Sequence, residues 1–274
     1  MNTIGGSEAV SLVEREEVLV LDVRTPGEYA RLGHIPGAWL LPVDLVASAP
    51  AVLPQDGRTV LVCCEHGIRS AAAVRFLEQA GVTDVLNLAG GMAVWTGPRA
   101  HGPGIIRGPS PWLLEHASLL PAGGRVLDVA AGRGRHALLM AAAGFPVTAI
   151  DRDAEALAFL RDTAARLALA VDIVEQDLEG DPVELGDAAF DVALVFHYLH
   201  RPLLPAIVRA LAPGGLLFYE TFTAGQAARG RPSNPDFLLR DGELPSLVEP
   251  LEIVASREGE IDGALKAAVV ARRT

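Results

Sequence analysis

The chain has very little cysteine and no long apolar segment. Its 274 residues contain only two cysteines, the adjacent Cys63 and Cys64, which cannot form a framework of ordinary disulfides. This composition fits a reducing compartment, and we expect the protein to be cytoplasmic. No run approaches the ~18 uncharged apolar residues that span a bilayer, and the N-terminus lacks a basic segment followed by an apolar one. The sequence therefore predicts a soluble protein that is neither exported nor bound in a membrane.

An excess of positive charge is also missing. The formal net charge is −11 at pH 7, and acidic residues outnumber basic ones on both sides of residue 109. A protein that binds the phosphate backbone of a nucleic acid needs a basic face, and clusters such as Arg133-Gly134-Arg135 are too small to provide one. Lys266 is the only lysine among 23 basic residues, a bias that we attribute to coding composition. We therefore expect small-molecule ligands and no nucleic-acid partner.

The apolar content is sufficient for two folded domains. Half of the residues are hydrophobic, at 50%, so a chain of this length can bury two cores of ordinary size. In the first hundred residues, short apolar runs alternate with helical patterns, which predicts a small α/β sheet with buried parallel strands. These runs are 18–23, 59–64 and 84–88.

Glycine and proline residues mark a boundary between the two domains. They interrupt all periodicity at 97–104 and again at 108–111, as is typical of segments that connect domains. The sequence therefore predicts a first domain over 1–97, a linker over 98–109 and a second domain over 110–274.

The second domain has the pattern of a larger α/β sheet. Strand-like and helical segments alternate five times, and two strands without a clear helix between them follow. This order predicts a doubly wound, Rossmann-like sheet that ends in an antiparallel hairpin. The predicted strands are 125–130, 146–150, 171–175, 190–196, 215–222, 251–256 and 266–272, with helices after Gly134, Asp153, Arg201 and Asp241.

A cysteine stands at a predicted strand-to-helix turn. Cys64 begins the segment CEHGIR, between the apolar run 59–63 and the helical run 71–79. Backbone N–H groups of such a turn and the positive end of the following helix dipole stabilise a thiolate, so Cys64 is predicted to be a nucleophile. Cys63 points to the other face of its strand and is predicted to be a small buried hydrophobe. The spacing of Cys63, Cys64 and His66 is not that of a zinc site, so no metal is expected.

The first domain resembles the rhodanese family of sulfurtransferases. The resemblance extends over roughly residues 5–97, and its motifs occur in the family's order. The matching segments are LDVRTPGEY at 21–29, GHIPGA at 33–38, CEHGIR at 64–69 and LAGGMAVW at 88–95.

This resemblance implies a sulfur-transfer site. Cys64 would attack the outer sulfur of a small donor such as thiosulfate and hold it as a persulfide. Arg69 would hold the anion, and Asp22 and Arg24 would form the rim of the site. The loop has six residues, whereas the related phosphatases have seven, so sulfur is favoured over phosphate. Glu65 departs from this scheme, because its carboxylate opposes an anionic donor.

A second site is predicted at a glycine turn. Gly132 and Gly134 follow the strand that contains Asp128, a position where α/β folds bind nucleotide-like ligands. The two glycines alone are compatible with a nicotinamide, a flavin or S-adenosylmethionine. Ala137 stands where a dinucleotide site would need a third glycine, and Asp128 would place a carboxylate where a cationic amino-acid end can be held.

The second domain resembles class I methyltransferases, which use S-adenosylmethionine as cofactor. The resemblance implies that Asp151 binds the two ribose hydroxyls and that the Asp177 side chain and the Leu178 N–H hold the adenine. The matching segments are VLDVAAGRG at 126–134, AID at 149–151, EQDL at 175–178, FDVALVF at 190–196 and LAPGGL at 211–216.

Within this class, three further tracts resemble the tellurite-resistance and thiopurine-type branch, which implies a small, soft nucleophile as methyl acceptor. Tyr198, His200 and Tyr219 are the residues predicted to line the acceptor's path, and the turn-rich tract 224–239 is predicted to cover the pocket. The tracts are GRGRH at 132–136, YLHRP at 198–202 and YETF at 219–222.

Three hypotheses for the function remain open at this level. The first is a bifunctional enzyme in which a persulfide-forming domain and a methyltransferase domain handle related sulfur, selenium or tellurium chemistry. The second is a methyltransferase of another small molecule whose rhodanese domain is a non-catalytic binding or redox-sensing module. The third is a carrier or stress-response protein with little turnover. The sequence does not predict protein partners or the oligomeric state.

Overall fold

A computed structural model describes residues 2–180 and 183–274, and the chain divides into two compact units. The first is built mainly from residues 2–109 and the second mainly from residues 110–274. Each unit contains one β-sheet.

The sheet of the first unit is parallel and five-stranded, in the order β1-β5-β4-β2-β3. Its strands are β1 (Asn2–Ile4), β2 (Val18–Asp22), β3 (Trp39–Leu40), β4 (Thr59–Cys63) and β5 (Val85–Leu88). The helices of this unit are α1 (Gly6–Glu14), α2 (Pro26–Leu32), α3 (Ala49–Val52) and α4 (Ile68–Gln79).

The central strands are buried because both faces of the sheet are covered. Side chains of β4 alternate between two apolar clusters, one containing Val60 and Val62 and the other containing Leu61 and Cys63. This placement explains why the run reads as continuously apolar in the sequence. Helix α2 begins at a capping box, in which Thr25 and Glu28 bond each other's backbone N–H groups.

The segment 98–109, which the sequence predicts as a linker, is hydrogen-bonded to the first unit. Ala100 forms a bridge with His34, and the Arg107 N–H donates to the Leu40 carbonyl at 2.8 Å. Residues of this segment therefore extend the first unit and do not form a free coil.

The sheet of the second unit has seven strands in the order β11-β12-β10-β9-β6-β7-β8. Strand β12 is antiparallel to both of its neighbours, and the other pairs are parallel. The strands are β6 (Val126–Val129), β7 (Val147–Asp151), β8 (Val171–Glu175), β9 (Phe190–Phe196), β10 (Leu211–Phe222), β11 (Glu252–Ile261) and β12 (Ala264–Arg272). The helices are α5 (Pro111–Glu115), α6 (Arg135–Ala142), α7 (Ala154–Arg166), α8 (Leu204–Ala210) and α9 (Leu244–Leu247).

The predicted α/β class, the doubly wound sheet and its antiparallel end are confirmed. Some bounds differ from the sequence prediction. Strand β10 starts at Leu211 instead of 215, strand β11 ends at Ile261 instead of 256, and the helix expected after Asp241 is the single turn α9. In the ranges that the structure describes, no helix is long and apolar enough to cross a membrane.

Candidate active sites

The predicted nucleophile Cys64 lies at the carboxyl end of β4, in the turn that leads to α4. Gly67 caps this helix with a φ of +82°, a conformation that favours glycine. A Cβ at Gly67 would also lie 3.1 Å from the Gly90 nitrogen, so the loop packs closely against the following glycine turn. Cys64 is 1% exposed and Cys63 is fully buried, and the two side chains lie in different apolar clusters.

The Cys64 sulfur is surrounded by hydrogen-bond donors. The Gly67 N–H donates to Sγ at 3.1 Å, and the Ser70 hydroxyl lies 3.3 Å from it. Burial raises the pKa of the Cys64 thiol, but hydrogen bonds from the Ser70 hydroxyl and from backbone N–H groups of the loop lower the pKa by more, so it falls below the usual value. The same hydroxyl lies 2.7 Å from Asn87 Oδ1. The Ser70 hydroxyl has one proton, which can turn from Asn87 to the Cys64 sulfur when the thiolate forms.

We expect Ser70→Ala to slow the reaction of Cys64 with iodoacetamide near neutral pH by on the order of tenfold, since a hydrogen bond to a charged group is worth about 1.5 kcal/mol or more. Losing this donor raises the Cys64 pKa, so the pH profile of alkylation should shift to higher pH. Ser48→Ala is the matched control, because Ser48 is also fully buried and its hydroxyl donates to the Leu45 carbonyl at 2.7 Å. An unshifted profile in Ser70→Ala would mean that the backbone N–H groups alone stabilise the thiolate.

The two arginines predicted to act on the donor are bound to carboxylates. Arg69 forms two hydrogen bonds with Glu28, one of them from Nη1 to Oε2 at 2.9 Å. Bonding to Arg69 lowers the pKa of Glu28 to about 2. The Arg69 side chain is 35% exposed, but an anionic donor must compete with Glu28 for its guanidinium.

Asp22 and Arg24 do not form a rim, because both side chains are fully buried. Arg24 bonds both Asp22 oxygens, the Gly33 carbonyl at 2.8 Å and Glu65 Oε2 at 2.8 Å. Glu65 directly follows Cys64, so its bond with the buried Arg24 fixes the Cys64 loop to the interior of the unit. Because one guanidinium pairs with two carboxylates, the network keeps a formal charge of −1, and it still opposes an anionic donor as the sequence indicates.

In the second unit, Asp151 organises the glycine turn. This residue ends β7, and its Oδ2 accepts a hydrogen bond from the Gly132 N–H at 2.7 Å, while Oδ1 accepts one from the Asp153 N–H at 2.9 Å. Gly132 and Gly134 have φ values of +54° and +82°. A Cβ at Gly134 would lie 2.4 Å from Leu160 Cδ1, so glycine is required there for α6 to pack against α7.

A cavity of about 270 Å³ opens beside this turn. The predicted residues Asp151, Asp177, Leu178 and Tyr198 all line it. Its acidic residues follow β7 and β8, on one side of β6, whereas its aromatic residues follow β9 and β10 on the other side. The remaining lining residues are Ala130, Arg152, Glu179, His197, Leu199, Phe222, Pro232 and Phe237.

The cavity fits an adenosine that carries a positive charge at one end. Asp151 and Asp177 would offer carboxylate oxygens to the hydroxyl and amino groups of such a ligand. The Tyr198 hydroxyl is buried and has no hydrogen-bond partner among the described residues, a state that costs free energy until a ligand supplies one. Pro232 and Phe237 come from the tract predicted as a lid, so this tract does form part of the cavity wall.

Several predicted residues lie outside this lining. Asp128 is 2% exposed and its Oδ2 accepts a hydrogen bond from the Ala137 N–H at 3.0 Å; burial raises its pKa to about 7. Tyr219 is in the core, where its hydroxyl donates to the Tyr198 carbonyl at 2.9 Å. Tyr219 is therefore not among the residues that line the cavity.

His200 is also directed elsewhere, because it lines a different cavity together with Pro202 and Leu203. Sequence reasoning missed His197, which does line the main cavity. Its only sequence signal is that it immediately follows β9, the strand whose end was expected to face the ligand.

Comparisons with known proteins agree with this division. The family model described as "Rhodanese-like domain" matches residues 6–98, and that described as "Methyltransferase domain" matches residues 126–215. A sulfurtransferase of Allochromatium vinosum is 41% identical over 102 residues, which are 36% of this chain and 91% of that protein.

Two relatives of the second unit are matched over a smaller share of their own length. A ubiquinone biosynthesis O-methyltransferase of Xanthomonas axonopodis is 38% identical over 126 residues. These residues are 43% of this chain and 52%, about half, of that relative. TehB from Haemophilus influenzae superposes with a TM-score of 0.52 at 19% identity, over 61% of this chain and 63% of that one.

The chain therefore belongs to the rhodanese-like family through residues 6–98, and it carries a methyltransferase domain over residues 126–215. The second unit has the fold of S-adenosylmethionine-dependent methyltransferases, as in the structure from Methanosarcina mazei, with a TM-score of 0.50. S-adenosylmethionine is the cofactor of this domain. When bound, it supplies the methyl group on a sulfonium centre.

Proposed function

We propose that this chain is a bifunctional enzyme that loads sulfur on Cys64 and methylates a small, soft nucleophile such as a thiol, sulfide, or a selenium or tellurium species. The observation that carries the proposal is the aromatic side of the second-unit cavity. His197, Phe222 and Phe237 line it, and its carboxylates all follow β7 and β8 on the other side of β6. None of the described lining residues on this side is a carboxylate, and burial together with the positive charges of Arg135 and Lys266 lowers the pKa of His197 to about 3. The aromatic side therefore suits a nucleophile that is already ionised.

For such an acceptor, catalysis depends on alignment and exclusion of water. Methyl transfer needs an in-line approach of the nucleophile, and a confined cavity provides it without acid–base chemistry. Phe237 and Pro232, from the tract 224–239, form part of the cavity wall, and a movement of this tract over the bound cofactor would exclude water. Tyr198 would contact the ligand through its unpartnered hydroxyl.

In the first unit, the proposed reaction is transfer of one sulfane sulfur. The Cys64 thiolate attacks the outer sulfur of the donor, a bond forms between the two sulfur atoms, and the donor's own sulfur bond breaks; sulfite leaves when the donor is thiosulfate. The hydrogen bonds from Gly67 and Ser70 stabilise the attacking anion. Small molecules are the proposed donor and methyl acceptor.

A second function is favoured by the burial of the first site. Cys64 is 1% exposed, and both neighbouring arginines are bound to carboxylates. These features also suit a rhodanese unit that binds or senses a sulfur species while the second unit methylates another small molecule. The O-methyltransferase relative supports an oxygen acceptor under this alternative.

A product screen tests both functions on the full chain. The protein is incubated with S-adenosylmethionine and a panel of thiols, sulfide, selenite, tellurite and a phenol, and methylated products are measured by mass spectrometry. Products from sulfur, selenium or tellurium species support the first function, and a product from the phenol alone supports the second. With thiosulfate as the sulfane donor and a small thiol that takes the outer sulfur from Cys64, which leaves the Cys64 thiol and the persulfide of the small thiol, a methylated persulfide formed by the wild type and not by Cys64→Ser would show that the first site supplies the acceptor.

A further inference from the structure

The ionised side chains that are bonded to one another behind Cys64 carry more negative than positive charge. Arg24 pairs with both Asp22 and Glu65, which leaves a formal charge of −1 on these three side chains. A donor such as thiosulfate, which is a dianion, meets this charge in addition to that of the Cys64 thiolate. Because repulsion grows with the product of the two charges, the first site opposes a dianion about twice as strongly as a monoanion.

The other arginines beside the loop do not supply a free cation to it. Arg69 donates to both oxygens of Glu28, so this pair has no net charge. A further arginine, Arg99, donates to the carbonyls of Leu32 and Met92, and in the part of the chain that the structure describes it bonds no atom of residues 64–69. The loop that holds the nucleophile is therefore not a cation-rich cradle.

Glu65 is the carboxylate of this group whose charge is least compensated. Asp22 is fully buried, and both of its oxygens bond Arg24. Glu65 receives one bond from the same guanidinium, from Nη1 at 2.8 Å, and its side chain is 20% exposed. Because Glu65 directly follows Cys64, its carboxylate is placed to act on the charge of an incoming donor.

Two exposed apolar side chains flank the same loop. Ile68 belongs to the loop and is 78% exposed, and Val94, from the glycine turn that packs on it, is 51% exposed. The Val94 side chain lies over Gly90, where an added Cβ would be 2.8 Å from Val94 Cγ2, and Gly90 packs in turn against Gly67. These side chains can therefore contact an apolar substituent of a donor that approaches Cys64.

We infer that the first site takes its sulfur from an organic donor with one negative charge and an apolar substituent, such as an alkyl or aryl thiosulfonate, and that Glu65 selects against the dianion thiosulfate. The inference rests on the proposed loading of sulfur on Cys64 and names the class of donor. Thiosulfate still reacts with Cys64, but slowly. Ile68 contacts the substituent of the organic donor.

The reaction with a thiosulfonate, RSO₂–S⁻, balances without an added oxidant or reductant. The Cys64 thiolate attacks the terminal sulfur, and a bond forms between these two sulfur atoms. The bond between the terminal sulfur and the sulfonyl sulfur breaks, and its electron pair leaves with the sulfinate, RSO₂⁻. Cys64 keeps the terminal sulfur as a persulfide anion, so two negative charges are present before and after the transfer.

Three donors separate charge from apolar contact in the full chain. Thiosulfate has two negative charges, methanethiosulfonate has one charge and a methyl group, and benzenethiosulfonate has one charge and a phenyl ring. The rate at which each adds one sulfur atom to Cys64 is followed by intact mass. Each rate is divided by the rate of the same donor with free cysteine, which removes the donor's intrinsic reactivity. The corrected rates should rise in the order thiosulfate, methanethiosulfonate, benzenethiosulfonate.

Glu65→Gln removes one negative charge and keeps an oxygen that can accept the bond from Arg24. It should speed loading from thiosulfate by on the order of tenfold and loading from both thiosulfonates by about threefold, because half the repulsion energy gives the square root of the rate factor. Asp56→Asn is the matched control and should change none of the three rates. Its carboxylate bonds Arg58 before β4, at the opposite end of the strand from Cys64.

The salt dependence of the wild type tests the charge effect without any substitution. Salt screens the larger repulsion more strongly, so the rate with thiosulfate should rise more steeply with salt than the rate with either thiosulfonate. Equal salt dependence for the three donors would contradict selection by charge.

Ile68→Thr tests the apolar contact, because threonine keeps the branch at Cβ and replaces apolar surface by a hydroxyl. The variant should slow benzenethiosulfonate several-fold, since less apolar area is buried against the ring, and leave thiosulfate unchanged. A thermal melt checks that the fold is intact, as expected for a side chain that is 78% exposed. Equal slowing of all three donors would contradict a contact between Ile68 and the substituent.

Two results would overturn the assignment of Glu65. One is a wild type whose corrected rate is highest with thiosulfate, and the other is a Glu65→Gln variant that changes the three rates by the same factor. If none of the donors adds sulfur to the wild type, the proposed sulfur loading itself fails. That outcome is distinct from a change in the order of the donors.

Discussion

Cys64→Ser is expected to abolish the uptake of a sulfane sulfur atom, whereas Cys63→Ser should retain it. Only the Cys64 sulfur has hydrogen bonds from Gly67 and Ser70, and its pKa lies below the usual thiol value. Cys63 is fully buried on the other face of β4, where burial raises its pKa well above the usual value. A buried neutral thiol is a poor nucleophile.

The measurement is the intact mass after treatment with thiosulfate or mercaptopyruvate, which should rise by one sulfur atom in the wild type and in Cys63→Ser. Circular dichroism and a thermal melt check that each variant is folded, since serine in place of a fully buried cysteine leaves a hydroxyl in an apolar cluster. Cys63→Ala avoids this hydroxyl and serves as the second variant. A mass gain that survives in Cys64→Ser and is lost in both Cys63 variants would contradict the assignment of the nucleophile.

Local features of both sites could be predicted from the sequence because the residues involved are contiguous. The strand, turn and helix around Cys64 lie within residues 59–79, and the glycine turn lies within residues 126–142. Within segments of this length, a buried parallel strand followed by glycine is recognisable as a short apolar run that ends in a turn signal. The short strands β1 and β3 were missed, because two or three residues produce no periodicity.

Charge pairing could not be predicted in the same way. The Arg24–Glu65 and Arg69–Glu28 pairs each join residues 41 positions apart, and nothing in the local sequence indicates these partners. The sequence therefore predicted that Arg24 and Arg69 are free to act on an anionic donor. In the fold, both guanidinium groups are paired with carboxylates. The same limit applies to His197, whose position depends on Glu220, a residue of the neighbouring strand β10.

Asp151→Ala is expected to lower the affinity for S-adenosylhomocysteine by about tenfold to a few hundredfold. If Asp151 binds the ribose, the change removes charge-assisted hydrogen bonds worth about 1.5 to 3 kcal/mol. The structure adds a second cause, because the same carboxylate holds the Gly132 and Asp153 N–H groups at 2.7 and 2.9 Å. Loss of affinity alone therefore does not separate the ribose contact from a loosened glycine turn.

A ligand without one ribose hydroxyl separates the two causes. The wild type should bind the 2′-deoxy analogue of S-adenosylhomocysteine more weakly than the parent ligand, because one acceptor oxygen of Asp151 loses its donor. Asp151→Ala should bind both ligands with nearly equal affinity, since the partner of that hydroxyl is already gone, and isothermal calorimetry on the four combinations gives the coupling. Asp151→Asn is the control that keeps an acceptor oxygen for the Gly132 N–H. If Asp151→Ala still discriminates between the two ligands as the wild type does, the ribose is bound elsewhere and Asp151 acts only on the turn.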